Sequence, residues 1–196
     1  MPDSDPPSPN PSISERRERV LQWQAAQPTQ GTYLELVEVS DAGFIYECRT
    51  TPSLNTFLSP PPSSLKHQSD WIRDYKAREL LGLEFYFIIK NKQKSFGTVR
   101  LYDFKDESSF TWGSWIVVPG APLRTAYRSA ELVYQLGLDV LHFDHATFSV
   151  YNRNTRVIAF HKRMGSISSL QTVSETVFIH HRPGRMAPPK GPSPVA

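Results

Sequence analysis

The chain has little cysteine and no long apolar run. Of its 196 residues one is a cysteine, Cys48, so the sequence supplies neither a disulfide framework nor a cysteine cluster for a metal. No stretch stays apolar over the ~20 residues that a membrane-spanning helix needs, and the start lacks the basic and apolar segments of a signal peptide. These absences predict a cytoplasmic protein that binds neither a metal nor a membrane.

Concentrated positive charge is also missing. The formal net charge is +3, and the sequence holds no lysine and arginine tract and no zinc-ligand spacing. Nucleic-acid binding depends on a dense basic surface, so no nucleic-acid partner is expected. A phosphate-bearing small molecule requires far less charge and stays compatible with this composition.

Proline outnumbers glycine, with 17 prolines against 10 glycines. Prolines cluster in residues 1–12 and 183–196, and both segments are expected to be disordered. Residues 14–27 can form a charged accessory helix or a solvated linker, which Pro28 would end. The sequence therefore predicts an N-terminal tail over 1–31, one domain over 32–182 and a C-terminal tail over 183–196.

Periodicity and capping residues give a mixed order of elements inside the domain. A strand is followed by two helices, three strands, a helix, a strand, a helix and two strands. Prolines between residues 50 and 63 predict an irregular segment, which ends where Ser64 can cap the next helix. In chain order the predicted spans are strand 33–39, helix 41–49, helix 65–81, strands 84–90, 95–103 and 110–118, helix 123–141, strand 146–151, helix 154–165, and strands 169–173 and 176–180.

The segment from Ala146 to Gly165 is the most informative part of the sequence. A buried strand turns into a helix with Asn154 at its N-cap and Gly165 just past its end. His161 lies beside the apolar line of this helix, so a polar group is expected to face inward. Taken alone, the two residues are also compatible with a helix cap and a hydrogen-bonded core histidine.

This strand, the Asn and a hydrogen-bonding residue seven positions later resemble the C-terminal half of the GCN5-related N-acetyltransferase (GNAT) superfamily. The resemblance implies an α+β fold with a mostly antiparallel sheet of six to seven strands and about four helices. It implies acetyl-CoA as co-substrate, with Asn154 contacting the pantetheine arm and His161 protonating the departing CoA thiolate. At an ordinary pKa near 6.5, a histidine would hold that proton part of the time at neutral pH.

The strand that leads into the long helix is the second region of resemblance. In the family this strand is splayed from its neighbour, so the backbone of Trp115, Ile116, Val117 and Val118 is expected to pair with pantetheine. The two glycines that usually follow are absent at the helix entry. The pyrophosphate is therefore expected to rely on Arg124, Arg128 and the Thr125 hydroxyl, in a divergent CoA site.

The general base is not evident from the sequence. Many relatives carry a Glu at the position of Thr111. Asp103, Glu84 and His67 remain candidates, each of which can equally be a surface or turn residue.

Three stretches, 47–58, 68–75 and 96–104, resemble amino-sugar N-acetyltransferases of surface-polysaccharide and pseudaminic-acid pathways. This resemblance implies a primary amine on a nucleotide-linked sugar, a small-molecule partner. Ribosomal-type protein N-terminal acetylation and a non-catalytic binding module stay open, as does a homodimer. The nucleotide diphosphate would contact Arg49, Arg73 and Arg100. A base or sugar would stack on Trp71, Tyr75 or Tyr102. For Trp71 and Tyr75 the alternative is a role in the core.

Overall fold

A computed structural model describes residues 11–28, 30–105 and 108–182. The segments 1–12 and 183–196, expected to be disordered, lie almost wholly outside these ranges, whereas residues 14–27 of the predicted N-terminal tail belong mostly to a helix. No helix of the described residues is long and apolar enough to cross a membrane.

Within the described residues, seven strands and six α-helices follow one another in nearly the expected order. The helices are α1 (Ile13–Ala26), α2 (Ala42–Thr50), α3 (Pro52–Asn55), α4 (Leu65–Leu80), α5 (Thr125–Tyr134) and α6 (Thr155–Arg163). The strands are β1 (Thr32–Leu36), β2 (Phe85–Asn91), β3 (Lys94–Lys105), β4 (Ser109–Val117), β5 (His145–Tyr151), β6 (Ile167–Gln171) and β7 (Glu175–His181). A 3₁₀ turn, Val39–Asp41, precedes α2, and a π-helical segment, Gln135–Val140, continues α5.

One prediction about the proline-rich segment is wrong. A single helical turn, α3, forms at Pro52–Asn55, where no helix was expected before Ser64. Proline is tolerated at the first position of a helix, because its missing N–H has no partner there. Ser64 does cap α4, with its hydroxyl accepting a hydrogen bond from the His67 amide at 3.1 Å.

The strands form one sheet in the order β1-β2-β3-β4-β5-β7-β6. All neighbours are antiparallel except β4 and β5, which run parallel. One face carries the main apolar core, against which α1, α5 and α6 pack, and the other face packs on α2 and α4 over β1 and β2. This is the mostly antiparallel α+β sheet that the resemblance implies.

Helix α1 packs on the sheet and also closes the edge of β1. The Gln27 side chain accepts a hydrogen bond from the Leu34 amide and donates one to the Leu34 carbonyl, both at 3.0 Å. The Gln24 side chain accepts from the Leu36 amide at 2.8 Å. The two glutamines thus satisfy backbone groups that an edge strand would otherwise leave unpaired.

Candidate functional site

The two parallel strands separate after a short common stretch. β4 and β5 pair only from Ser109 to Thr111 and from His145 to Thr147. Beyond Thr111 they diverge, and the gap between them belongs to a cavity of about 970 Å³. The cavity continues to the N-terminus of α5 on one side and to the α3 segment on the other. We call this cavity the cleft.

A bulge in β4 shapes the wall of the cleft. Gly113 pairs with Arg100 and Ile116 with Thr98, so Ser114 and Trp115 together oppose Val99. Ser114 has a positive φ of 49°, and its carbonyl accepts a hydrogen bond from the Thr98 hydroxyl at 2.8 Å.

The β4 residues predicted to pair with pantetheine differ in the edge of the strand that their backbone groups face. The Val118 amide donates to the Phe96 carbonyl at 2.9 Å, so Val118 is turned toward β3. Backbone groups of a strand alternate between its two edges, which directs Ile116 toward β3 as well and directs Val117 and Trp115 toward the cleft. The Trp115 indole is anchored by donating to the Ser129 hydroxyl of α5 at 3.1 Å.

Asn154, the residue predicted to contact the pantetheine arm, also lies at the cleft. It is the N-cap of α6, its side chain accepts from the Val157 amide at 3.4 Å, and it lines the cleft. The bond to Val157 uses the carbonyl oxygen of the side chain, which leaves the NH₂ group of the Asn154 amide able to donate into the cleft.

The three residues at the entry to α5 that were expected to contact phosphates have different surroundings. Arg124 lines the cleft and has a left-handed φ of 71°, a conformation that favours glycine. The Thr125 hydroxyl donates to the Pro122 carbonyl at 2.8 Å, so it closes the turn before the helix and is not a free donor. Arg128 does not line the cleft, and its guanidinium pairs with Glu131 at 3.3 Å.

His161 is buried in a wall of aromatic rings at the cleft. Its side chain is 3% exposed, and its ring centre lies 4.4 Å from that of Phe148 and 5.3 Å from that of Trp112. Its Nδ1 has no hydrogen-bond partner among the described residues. Burial and the neighbouring His180 lower the pKa of His161 to about 4. The ordinary pKa assumed from the sequence is therefore wrong, and the imidazole is uncharged at neutral pH.

A smaller cavity of about 270 Å³ adjoins the cleft on the α4 side. Arg49, Trp71 and Arg100 line it, together with the prolines at 60–62. Ser59 and Ser114 belong to the walls of both cavities, so the two spaces share a boundary. We call this smaller cavity the arginine pocket.

The arginine pocket is positively charged. Glu84, 3% exposed, accepts from Nε of Arg100 at 2.7 Å with one carboxylate oxygen and pairs with Arg78 through the other. The guanidinium groups of Arg78 and Arg100 and the carboxylate of Glu84 together carry a net charge of +1. Arg49 adds a second charge, since its hydrogen bonds within the described part of the chain go to uncharged groups of Ser59 and Pro60. No acidic residue is among the described residues that line this pocket.

Aromatic rings form the remaining wall around Arg100. Its guanidinium carbon lies 5.2 Å from the ring centre of Trp71 and 4.8 Å from that of Tyr102. Tyr102 lines the cleft, and burial raises the pKa of its phenol. Trp71 thus lines the arginine pocket and Tyr102 lines the cleft, and the Arg100 guanidinium contacts both rings.

Tyr75 and Arg73, which were predicted to contact the substrate, line neither cavity. Tyr75 is fully buried, donates to Glu79 at 2.7 Å and accepts from the Tyr86 amide at 2.8 Å. Burial, with the nearby Glu79, raises the pKa of Tyr75. Tyr75 is therefore a core residue, and Arg73 lines neither cavity and pairs with Asp70 at 2.6 Å.

The candidates for a general base are dispersed. Both oxygens of Glu84 are engaged by arginines, Asp103 lines neither cavity, and His67 borders the arginine pocket. Thr111 lines the cleft but carries no basic group. Sequence reasoning missed Glu175 and Arg156, which also line the cleft. No local signal marks them, because Glu175 reaches the cleft only through the pairing of β7 with β5.

No group of three or more His, Cys, Asp or Glu side chains within 11–28, 30–105 and 108–182 is arranged to hold a metal ion.

Comparison with known proteins gives a family and several related structures. The family model described as an acetyltransferase (GNAT) domain matches residues 32–167. The structure of apo FdhC, described as a nucleotide-linked sugar GNAT, is 42% identical, with a TM-score of 0.71 over 76% of this chain and 86% of that one. None of the curated proteins matches the chain significantly.

More distant structures share the fold. The Vibrio cholerae spermidine N-acetyltransferase in complex with CoA and spermine is 15% identical, with a TM-score of 0.65 over 76% of this chain and 95% of that one. A probable acetyltransferase from Chromobacterium violaceum is 14% identical, with a TM-score of 0.65 over 78% of this chain and 90% of that one.

The family model covers more than half of the chain, and the splayed strands supply the cleft that the resemblance implies. The chain therefore belongs to the GNAT family of N-acetyltransferases, which transfer an acetyl group from acetyl-CoA to an amine.

Proposed function

We propose that this N-acetyltransferase acetylates a primary amine on a nucleotide-linked sugar. The observation that carries the proposal is the arginine pocket, a cationic and aromatic space that shares Ser59 and Ser114 with the cleft. Arginine matches phosphate oxygens in charge and geometry, and Trp71 offers a flat face to a base or sugar. The 42% identity to a nucleotide-linked sugar GNAT supports the same substrate class.

The same charge argues against a polyamine as the preferred acceptor. A polycation would enter a pocket that carries Arg49 and Arg100 and is lined by no described acidic residue. Like charges at close range are repulsive. Spermidine is therefore expected to be a poor substrate, despite the shared fold.

The residues of the cleft fit acetyl-CoA. Asn154 and the cleft-facing backbone of Trp115 and Val117 would hold the pantetheine arm, and the N-terminus of α5 with Arg124 would meet the pyrophosphate. The Val117 amide is our candidate donor to the thioester carbonyl oxygen. When bound, acetyl-CoA supplies the acetyl group and a thiolate leaving group.

His161 is the proposed proton donor to that thiolate. With a pKa of about 4, it is not a preformed imidazolium at neutral pH. A neutral imidazole still carries one N–H, and negative charge developing nearby favours its protonated form. His161 therefore acts either by donating a hydrogen bond from its N–H to the sulfur, or by taking up the proton that the attacking amine loses and passing it to the thiolate.

We further propose that the protein is cytoplasmic and that residues 32–182 form its catalytic domain.

Arg49 allows a direct test of the nucleotide assignment. Arg49→Gln keeps a donor for the 59–60 loop but removes the charge, and Arg73→Gln is the matched control outside both cavities. Thiol release is measured with UDP- and dTDP-linked amino sugars, with the corresponding free amino sugars and with spermidine. We expect Arg49→Gln to raise KM about tenfold or more for the nucleotide-linked acceptor alone, the loss typical of one charge-assisted hydrogen bond.

Equal KM changes for linked and free sugars would contradict the nucleotide assignment. Acetyl-CoA should also raise the melting temperature, because a ligand of the folded state alone shifts the unfolding equilibrium. An unchanged melting temperature at millimolar acetyl-CoA would contradict the proposed cleft.

A further inference from the structure

The carboxylate of Glu175 stands out among the residues of the cleft. It is the only acidic side chain among the described residues that line either cavity. Glu175 is half-buried, and no described residue forms an ion pair or hydrogen bond with its carboxylate. A partly buried carboxylate that forms no described ion pair or hydrogen bond is available to bind a cationic ligand.

The position of Glu175 is held firmly by its backbone. Glu175 opens β7, its amide donates to the Thr172 hydroxyl at 3.0 Å, and its carbonyl accepts from the Thr172 amide at 2.8 Å. The Asn152 side chain braces this turn by donating to the Thr172 carbonyl at 2.9 Å and accepting from the Thr176 hydroxyl at 2.8 Å. The backbone of Glu175 is thus fixed at the end of the cleft away from the β4–β5 junction.

Two aromatic residues line the same end of the cleft as Glu175. Tyr151 of β5 is paired directly with Glu175 of β7, so their side chains share one face of the sheet. The Tyr151 ring centre lies 6.4 Å from that of Phe57, which belongs to the segment after α3. Phe57, Tyr151 and Glu175 all line the cleft. A carboxylate and aromatic rings that line one cavity offer an ammonium group both an ion pair and cation–π contacts.

We infer that Glu175 binds the ammonium group of the acceptor, with Tyr151 and Phe57 on either side of the amine. A primary amine is protonated at neutral pH, so it arrives as a cation and needs an anionic contact before it loses its proton. Glu84 cannot provide this contact, because arginines occupy both of its oxygens. Glu175 is thus a substrate-binding residue of the acetyl transfer. The inference rests on an amine acceptor and holds whether or not that amine is attached to a nucleotide.

The test compares Glu175→Gln, Glu175→Asp and the control Glu47→Gln, an exposed glutamate of α2 that lines neither cavity. The acceptor is whichever member of a panel of nucleotide-linked amino sugars, free amino sugars and spermidine gives the highest kcat/KM with the wild-type enzyme. We expect Glu175→Gln to raise the KM of that amine about 10- to 100-fold, the range for a hydrogen bond to a charged group. The kcat and the KM for acetyl-CoA should change less than about twofold.

Two further measurements separate ligand binding from a structural role. Glu175→Asp should recover part of the affinity, and the hydroxyl analogue of the amine should inhibit the wild type and Glu175→Gln equally well. An unchanged KM for the amine would overturn the inference. Equal losses of affinity for the amine and for its hydroxyl analogue in Glu175→Gln would also overturn it. The same holds if the rise in KM for the amine comes with a loss of acetyl-CoA affinity and a lower melting temperature. If only free amino sugars are acetylated, the nucleotide assignment fails while Glu175 is still tested on those sugars.

Discussion

At the scale of single residues, substitutions of His161 distinguish a catalytic role of this side chain from a role in core packing. The His161→Phe variant should lower turnover about 10²- to 10⁴-fold, the loss typical of a general acid. Phenylalanine fits the aromatic surroundings of Phe148 and Trp112, and Nδ1 has no described partner that the substitution would strand. We therefore expect no loss of stability and an unchanged affinity for acetyl-CoA, measured by thiol release, urea unfolding and calorimetry.

His161→Tyr is the matched comparison, because a tyrosine hydroxyl is also a proton donor. It should retain substantial activity if a proton donor is what the site requires. Normal turnover in folded His161→Phe would rule His161 out as the acid.

At the scale of elements, the entry to α5 has two arginines with different surroundings. Arg124 faces the cleft in a glycine-like conformation, whereas Arg128 pairs with Glu131 outside it. Arg124→Gly removes the charge without opposing the left-handed backbone, and should weaken CoA about 10-fold or more through one lost phosphate contact. Arg128→Ala should change CoA affinity less than about twofold. Calorimetry with CoA and with pantetheine, which lacks the phosphates, measures both.

An equal loss of CoA affinity in the two variants would show that the position of Arg124 at the cleft does not matter. A loss of pantetheine affinity in Arg124→Gly would point to a damaged loop.

The edge of β1 supplies a second prediction at this scale. The Leu34 backbone is bonded on its outer side by the Gln27 side chain, and Leu34 itself is fully buried. Gln27→Ala should cost about 1–3 kcal/mol of stability, because buried backbone groups lose their partners. Gln22→Ala, an exposed glutamine of the same helix, should cost less than about 0.5 kcal/mol. Urea unfolding of the two variants checks the difference, and similar values would mean that water replaces Gln27.

At the scale of the whole molecule, buried histidines make folding sensitive to acid. Burial and nearby charge lower the pKa of His161 and of His180 to about 4. An unfolded histidine titrates near 6.5, so between about pH 6.5 and 4 the unfolded state binds more protons than the folded state. Stability should therefore fall as the pH falls through this window, by on the order of 3 kcal/mol for His161. His161→Phe should flatten the decrease in part, and urea unfolding at pH 7 and pH 4.5 measures it.

If the wild type and His161→Phe lost the same stability between these pH values, His161 would not be the group that titrates. His180 remains in the variant, so part of the decrease should persist.

Short-range features were predictable from the sequence because they depend on neighbours in the chain. The caps of α4 and α6, the placement of Asn154 and the inward direction of His161 follow from helix periodicity and from capping side chains within three or four residues. The order of strands and helices follows from the same local patterns. The resemblance then linked these elements to an acetyl-CoA cleft.

Only the tertiary structure decided which charged and aromatic side chains reach the cavities. Glu84 pairs with arginines 6 and 16 residues away, and Tyr75 bonds to β2, so neither is free for a substrate. Glu175 reaches the cleft because β7 pairs with β5, and Gln27 closes β1 because α1 packs across the sheet. The burial that lowers the pKa of His161 comes from rings on β4, β5 and β7. Long-range strand pairing and packing set these contacts, and local sequence patterns do not encode them.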